Sequence, residues 1–166
     1  MYRKLSGLGL FACVFGMAFA LYLQHYKNFE PCPMCIFQRV AMISAGVFFL
    51  IGLLAGARPA SGWLWSALAA LGAAAGAGIA GRQVWLQHLP ADQVPECGPT
   101  LDYLLDMLPL KRVVMMVLKG EGSCAKIDAQ WLGITLPEWT LVTFIGLALL
   151  ALATPLIAKR FDGRTS

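Results

Sequence analysis

The chain has 166 residues, of which 58% are hydrophobic and only 13% are charged, and its formal net charge is +4. Its mean hydropathy is +0.67, whereas soluble domains carry about 25% charged residues, so the bilayer is the expected solvent of a single domain, residues 1–166. This composition excludes a disordered chain, a collagen-like repeat and a soluble Rossmann-type enzyme, and the small net charge provides no basic face for nucleic acid.

Four apolar runs are long enough to cross a hydrocarbon core about 30 Å thick. They cover about residues 5–26, 40–57, 60–81 and 139–158. Because backbone groups in hydrocarbon must be hydrogen-bonded within the chain, each run is predicted to be a helix. The predicted fold is therefore an all-α membrane protein, a four-transmembrane-helix bundle. A cleaved signal peptide is the alternative for the first run, because Ala18–Ala20 is similar to a cleavage site.

The distribution of lysine and arginine predicts the orientation of the bundle. The side that carries both termini has six basic residues and one acidic residue, whereas the opposite side has seven basic and eight acidic residues. Both termini are therefore predicted to be cytoplasmic, with two external loops at about residues 27–37 and 82–138. The second loop is far longer than an ordinary connection between helices.

The second loop contains local patterns of its own. The leucines of Leu101–Leu108 follow helical spacing and predict a short helix, which Pro109 ends. Val113–Leu118 is too short to span and is flanked by basic residues, so it is predicted to anchor on the outer membrane surface. Gly120–Ser123 is predicted to be a flexible tip.

The chain has five cysteines, and Cys13 in the first span is predicted to be an inert buried thiol. The other four, Cys32, Cys35, Cys97 and Cys124, lie in the external loops. An even number of cysteines on an oxidising side favours disulfides. Zinc is the alternative for the C-x-x-C spacing, but there is no second C-x-x-C, so no metal is expected. A structural disulfide between Cys97 and Cys124 would constrain a long loop.

A disulfide between Cys32 and Cys35 would constrain very little chain, so this pair is more typical of a redox-active dithiol. Pro33 predicts a helix start, which places the dithiol at a helix N-terminus where amide donors stabilise a thiolate. Arg39 follows Cys35 by one helical turn and lies on the same face, although it could also serve as an interfacial anchor. A lipid-soluble quinone is the hypothesised electron acceptor at this boundary.

The run Pro31–Arg39, followed by a span, closely resembles the bacterial disulfide bond formation protein B (DsbB) family. The similarity continues through Val84–Gln87, the region of Cys97, Gly122–Ala125 and Leu136–Trp139, and so covers nearly the whole chain. The resemblance implies a quinone-dependent thiol oxidase of the bacterial inner membrane, a multi-pass protein whose two loops face the periplasm.

The resemblance also implies a route for the electrons. A periplasmic DsbA-like thioredoxin-fold protein would reduce a Cys97–Cys124 disulfide and be held transiently at Cys97. Cys124 would then exchange with Cys32, which releases Cys35 toward the quinone. The implied acceptor is ubiquinone, with menaquinone as the anaerobic alternative.

Three further residues are implied to contact the quinone. They are Arg39, which would stabilise developing negative charge, Gln83 and Leu136. Some family members have histidine where this chain has Gln83, and methionine where it has Leu136.

Two other functions compete with this interpretation. One is a quinone reductase of the vitamin K epoxide reductase type, which also combines a four-helix bundle with C-x-x-C, usually at a different place in the helix order. The other is a non-enzymatic membrane scaffold with static disulfides. Loss of either C-x-x-C cysteine would leave such a scaffold functional.

Overall fold

The computed structural model describes residues 1–28, 31–56, 59–90, 92–96, 98, 101–120, 122–127 and 130–162. The four long helices are α1 (Tyr2–Lys27), α2 (Pro33–Ala55), α3 (Pro59–Gln87) and α7 (Leu136–Asp162). Between α3 and α7 lie three short helices and a hairpin: α4 (Leu101–Met107), α5 (Leu110–Lys119), α6 (Gly122–Ala125), β1 (Gln130–Trp131) and β2 (Ile134–Thr135). All four long helices are long and apolar enough to cross a membrane. The predicted four-helix membrane fold is thus confirmed.

Small side chains form much of the bundle core. Helix α3 packs along α2 and α7, while α1 packs along α2 and less extensively along α7. Alanine is the commonest residue of the core cluster, and Ala45, Ala69 and Ala73 are fully buried in it. Since helices in lipid gain stability from close van der Waals contact, small residues at their interfaces bring the backbones together.

Gly76 on α3 is the position where this close packing is tightest against α7. A Cβ atom added there would overlap the ring of Phe144, which is fully buried, whereas a Cβ added at Gly78 would meet nothing within 4 Å. We expect Gly76→Ala to lower the free energy of unfolding by about 1–3 kcal/mol through overpacking. Gly78→Ala is the matched control and should not be destabilised. Chemical denaturation in detergent, followed by helical circular dichroism, measures both, and equal losses would contradict this packing account.

Helices α2 and α3 extend beyond the predicted spans of residues 40–57 and 60–81. Helix α2 begins at Pro33, so the first loop is shorter than the predicted 27–37, and α3 continues to Gln87. The predicted spans stop at polar residues such as Arg39, but the helical hydrogen bonds of the backbone do not require apolar side chains. The second loop accordingly starts after Gln87 rather than at residue 82.

Helix α7 also begins earlier than the predicted residue 139, because a capping interaction sets its start. The Glu138 carboxylate accepts hydrogen bonds from the backbone N–H of Thr135 at 2.7 Å and from its hydroxyl at 3.1 Å. A glutamate three residues after the capping residue characteristically closes a helix N-terminus in this way.

The second loop is folded onto the C-terminal end of α3. Helix α4 confirms the predicted helix in Leu101–Leu108, and α5 buries Val113 and Val117. The prediction of a flexible tip at Gly120–Ser123 is wrong in its second half, because Gly122 begins α6 and is buried. The Gly122 N–H donates to the carbonyl of Glu96 at 3.2 Å.

The hairpin before α7 was not predicted. Its strands pair antiparallel, with Gln130 opposite Thr135 and Trp131 opposite Ile134. Leu132 and Gly133 connect them, both with positive φ (57° and 79°), as two-residue hairpin turns of type I′ require. Strands of two residues are too short to show an alternating pattern in the sequence.

Candidate functional site

Cys32 and Cys35 lie at the N-terminus of α2, and the predicted helix start at Pro33 is confirmed. Cys32 is the N-cap residue, and its sulfur accepts a hydrogen bond from the backbone N–H of Cys35 at 3.4 Å. The two sulfur atoms are 3.0 Å apart. A disulfide can therefore form between them with a small side-chain movement, at a helix end whose amides favour negative charge.

Cys124 reaches this dithiol from the second loop. It lies on α6, is 1% exposed, and its side chain hydrogen-bonds with Cys32. Several causes raise the pKa of the Cys32 thiol. The largest is this hydrogen bond, the next is the hydrogen bond with Cys35, and the third is burial. Cysteines from the start of α2 and from the segment between α3 and α7 thus meet at one point. Cys97 lies outside the described residues, so its pairing with Cys124 stays a prediction.

Cys124 is held in this position as a member of an apolar cluster. Cys32 and Ala125 are partly buried and pack against the edge of this cluster. Its other buried members come from α2, α3, α4 and α5 and are Met34, Leu86, Leu104, Val113 and Val117. The contact between Cys124 and Cys32 therefore depends on the folding of the whole second loop onto α2 and α3.

Gln83 on α3 contacts both sulfur atoms of the dithiol. Its side chain is 4% exposed, and its Nε2 lies 3.5 Å from the Cys32 sulfur and 3.6 Å from the Cys35 sulfur. Its Oε1 accepts a hydrogen bond from Nε2 of Gln38 at 2.8 Å. The amides of Gln83 and Gln38 thus form a short chain that starts at the dithiol.

A cavity of about 570 Å³ lies between α1, α2 and α7, and Cys35 is one of the residues that line it. Most of its wall is apolar, and its polar contributors include Gln24, Cys35, Gln38 and Arg39. Phe15 and Phe19 also line it although they are 64% and 42% exposed. The cavity therefore opens onto the outer surface of the bundle, which faces lipid when the helices span a membrane.

Arg39 brings a positive charge to the wall of this cavity, on the helix that also carries Cys35. Its guanidinium donates hydrogen bonds to Oε1 of Gln24 and to the carbonyl of Ala20, both on α1. These bonds fix the guanidinium and also join α1 to α2. Arg39 therefore both anchors α2 to α1 and lines the cavity.

Only one of the other two predicted quinone contacts lines the cavity. Leu136 lines the cavity at the start of α7, whereas Gln83 is not among the described residues that line it. Gln38 and Trp139 also line the cavity, although neither was predicted to be a site residue. Gln38 carried a usable signal, since it is polar, lies in an apolar helix and follows Cys35 by three residues.

The arrangement suits disulfide exchange followed by transfer of electrons into the cavity. A thiolate attacks a disulfide sulfur through a mixed disulfide, and the sulfurs of Cys124, Cys32 and Cys35 form a row in which each has the next as a neighbour. Only Cys35 of this row lines the cavity. Within the described part of the chain, no group of three or more metal-ligating side chains could hold a metal ion.

Comparison with known proteins identifies the family. The family model described as "Disulfide bond formation protein DsbB" matches residues 2–154. The disulfide bond formation protein B of Acinetobacter baumannii is 50% identical over 154 residues, which cover 91% of this chain and 89% of that protein. That of Acinetobacter baylyi is 51% identical over 86% of this chain and 84% of its own length. That of a Psychrobacter species is 45% identical over 96% and 95%. The chain therefore belongs to the DsbB family of membrane proteins and is a thiol oxidase of disulfide bond formation.

Proposed function

We propose that this chain reoxidises a periplasmic DsbA-like thioredoxin-fold protein and passes the electrons to a membrane quinone. The observation that carries the proposal is the position of Cys35, whose sulfur contacts that of Cys32 and which is itself one of the residues that line the Arg39 cavity. The proposal places the protein in the bacterial inner membrane, with both termini cytoplasmic and both loops in the periplasm, as the distribution of basic residues predicts.

The first exchange takes place in the second loop. A thiolate of the reduced partner attacks Cys97 of a Cys97–Cys124 disulfide, and Cys124 leaves as a thiolate. The second thiol of the partner then attacks the mixed disulfide, so the partner leaves with its own disulfide restored. Two electrons and the accompanying protons now reside on Cys97 and Cys124.

The second exchange connects the two loops. Cys124 attacks Cys32 of the Cys32–Cys35 disulfide, and Cys35 leaves as a thiolate at the cavity wall. Cys97 next attacks Cys124, which restores the Cys97–Cys124 disulfide and releases Cys32. The hydrogen bond between Cys124 and Cys32 supports this step, because the attacking and attacked sulfurs are already neighbours.

The cavity has the chemistry that a quinone requires. Ligand pockets range over roughly 300–1,000 Å³ and are mostly apolar with a few polar groups that fix orientation, and this cavity of about 570 Å³ fits that description. Arg39 and Gln38 would donate to carbonyl oxygens, while Leu136 would contact the apolar ring. A bound quinone supplies the acceptor for two electrons and two protons. The Cys32–Cys35 disulfide is restored as the quinol is released.

Consumption of quinone tests the proposal. The purified protein in detergent is mixed anaerobically with a reduced DsbA-type protein and a soluble ubiquinone analogue, and quinone absorbance is followed. We expect catalytic loss of one quinone for every two partner thiols oxidised. A menaquinone analogue in a parallel assay identifies the preferred acceptor. Absence of quinone loss with either analogue, in a folded preparation, would contradict the proposal.

A further inference from the structure

The amide of Gln83 has an unusually complete set of partners for a side chain inside an apolar bundle. It is 4% exposed, its Nε2 faces both sulfurs of the dithiol, and its Oε1 faces the Gln38 amide. A buried primary amide has two N–H donors and one strong acceptor. Here the sulfurs of Cys32 and Cys35 are available to the NH₂ group of Gln83, and an N–H of Gln38 is available to its carbonyl oxygen.

The hydrogen bond from Gln38 determines which end of the Gln83 amide faces the dithiol. Because Oε1 of Gln83 accepts from Nε2 of Gln38 at 2.8 Å, the NH₂ group is directed to the sulfurs of Cys32 and Cys35. Their distances from Nε2 are 3.5 and 3.6 Å. The Cys35 sulfur also lies 3.9 Å from Oε1, which is a longer and weaker contact.

We propose that Gln83 is a positioning residue for the dithiol, which stabilises negative charge on either sulfur, and that Gln38 orients it from the cavity wall. Gln83 acts through Cys32 and Cys35 rather than by contact with the quinone, since it does not line the cavity that Gln38 lines. The inference rests on the proposed function for the direction of electron flow. Its central element, stabilisation of a thiolate by a buried neutral donor, does not need a quinone.

A neutral donor suits a site in which the charge moves from one sulfur to another. During the exchange, Cys35 is the leaving thiolate, and Cys32 is released afterwards. A single amide equidistant from both sulfurs can stabilise each in turn without a large movement. It also adds no charge of its own to compete with Arg39.

The test is alkylation of the fully reduced protein in detergent, with no quinone present. Iodoacetamide is added at pH 7, and peptide mass spectrometry follows modification of Cys32 and Cys35 separately. We expect Gln83→Leu to slow the faster of the two thiols by about tenfold, which corresponds to about 1.4 kcal/mol. Thr154→Val, which removes a fully buried hydroxyl on α7 far from the dithiol in sequence, is the control and should keep the wild-type rate.

Two further variants separate hydrogen bonding from packing. Gln83→Glu keeps the shape of the side chain but presents no donor when ionised, so we expect it to be at least as slow as the leucine variant. Gln83→His retains an N–H donor and should recover most of the rate. Wild-type rates in folded Gln83→Leu or Gln83→Glu, or a histidine variant as slow as leucine, would overturn the inference. If Gln83→Leu does not fold, the alkylation rate of Gln83→Glu still tests the inference.

Gln38 should affect alkylation only through Gln83. We expect Gln38→Leu to slow alkylation by less than Gln83→Leu does, and to add nothing when combined with it, because neighbours in one hydrogen-bonded chain are not additive. Fully additive effects of the two changes would show that Gln38 does not orient Gln83.

The quinone assay then tests whether Gln83 acts at a distance from the acceptor. Gln83→Leu should lower kcat and leave the KM for quinone unchanged. A raised KM with unchanged kcat would place Gln83 in contact with the quinone and overturn the inference. If the proposed function itself fails, the quinone assay is silent for the wild type, while the alkylation result still stands.

Discussion

Cys35→Ser is expected to reduce quinone consumption to the rate of a protein-free assay, while a reduced DsbA-type partner still opens the Cys97–Cys124 disulfide. A hydroxyl group can neither form a disulfide nor leave as a thiolate, so the relay stops at the last cysteine before the cavity. Absorbance measures the quinone, and acid quenching followed by alkylation and mass spectrometry measures the state of each cysteine.

Cys13→Ser is the matched control for this experiment. Cys13 is buried in the core between α1 and α2, where a Cβ added at Gly46 would meet its side chain. We expect quinone consumption close to that of the wild type. Retained turnover in Cys35→Ser would contradict the relay and favour the scaffold with static disulfides. Loss of turnover in both variants would indicate a folding defect, which circular dichroism would detect.

Arg39→Gln is expected to raise the KM for quinone by roughly tenfold to a hundredfold, because a hydrogen bond to a charged group contributes about 1.5–3 kcal/mol. The guanidinium supplies positive charge to a mostly apolar cavity, where little water is available to replace it. Opening of the Cys97–Cys124 disulfide by the partner should keep its wild-type rate, since it takes place in the second loop. Steady-state kinetics at several quinone concentrations separate the two effects.

Arg82→Gln is the control for the loss of a positive charge near the same end of the bundle. Arg82 donates to the carbonyls of Leu118 and Lys119, lies 4.0 Å from the Trp85 ring centre, and does not line the cavity. Its KM for quinone should be unchanged. An unchanged KM in folded Arg39→Gln would assign Arg39 to anchoring of α2 alone.

The sequence predicts the parts of this molecule that depend on local physics. Hydrocarbon requires long apolar helices, so the four spans could be found from composition, and Pro33 marked the helix that presents Cys32 and Cys35. The end of α3 was less predictable, since this helix continues through polar residues such as Arg82 and Gln83. Polarity limits the depth of a residue in the membrane, but it does not end a helix.

The parts that the sequence did not predict depend on tertiary packing. The contact of Cys124 with Cys32 was implied by the family resemblance alone, because it requires α4, α5 and α6 to fold onto α3 and no local pattern specifies that arrangement. Gln38 and Gln83 are 45 residues apart on different helices, so their hydrogen bond has no sequence signature. The Gln83 side chain was predicted to contact the quinone, whereas its described contacts are with the dithiol and Gln38.

A single turnover shows whether electrons leave the protein through Cys35. The fully reduced protein is mixed anaerobically with one equivalent of ubiquinone analogue, without partner protein, and quenched at successive times for alkylation and mass spectrometry. We expect quinone loss to coincide with formation of the Cys32–Cys35 disulfide. A Cys97–Cys124 disulfide that forms with quinone loss, while Cys32 and Cys35 are still reduced, would contradict it.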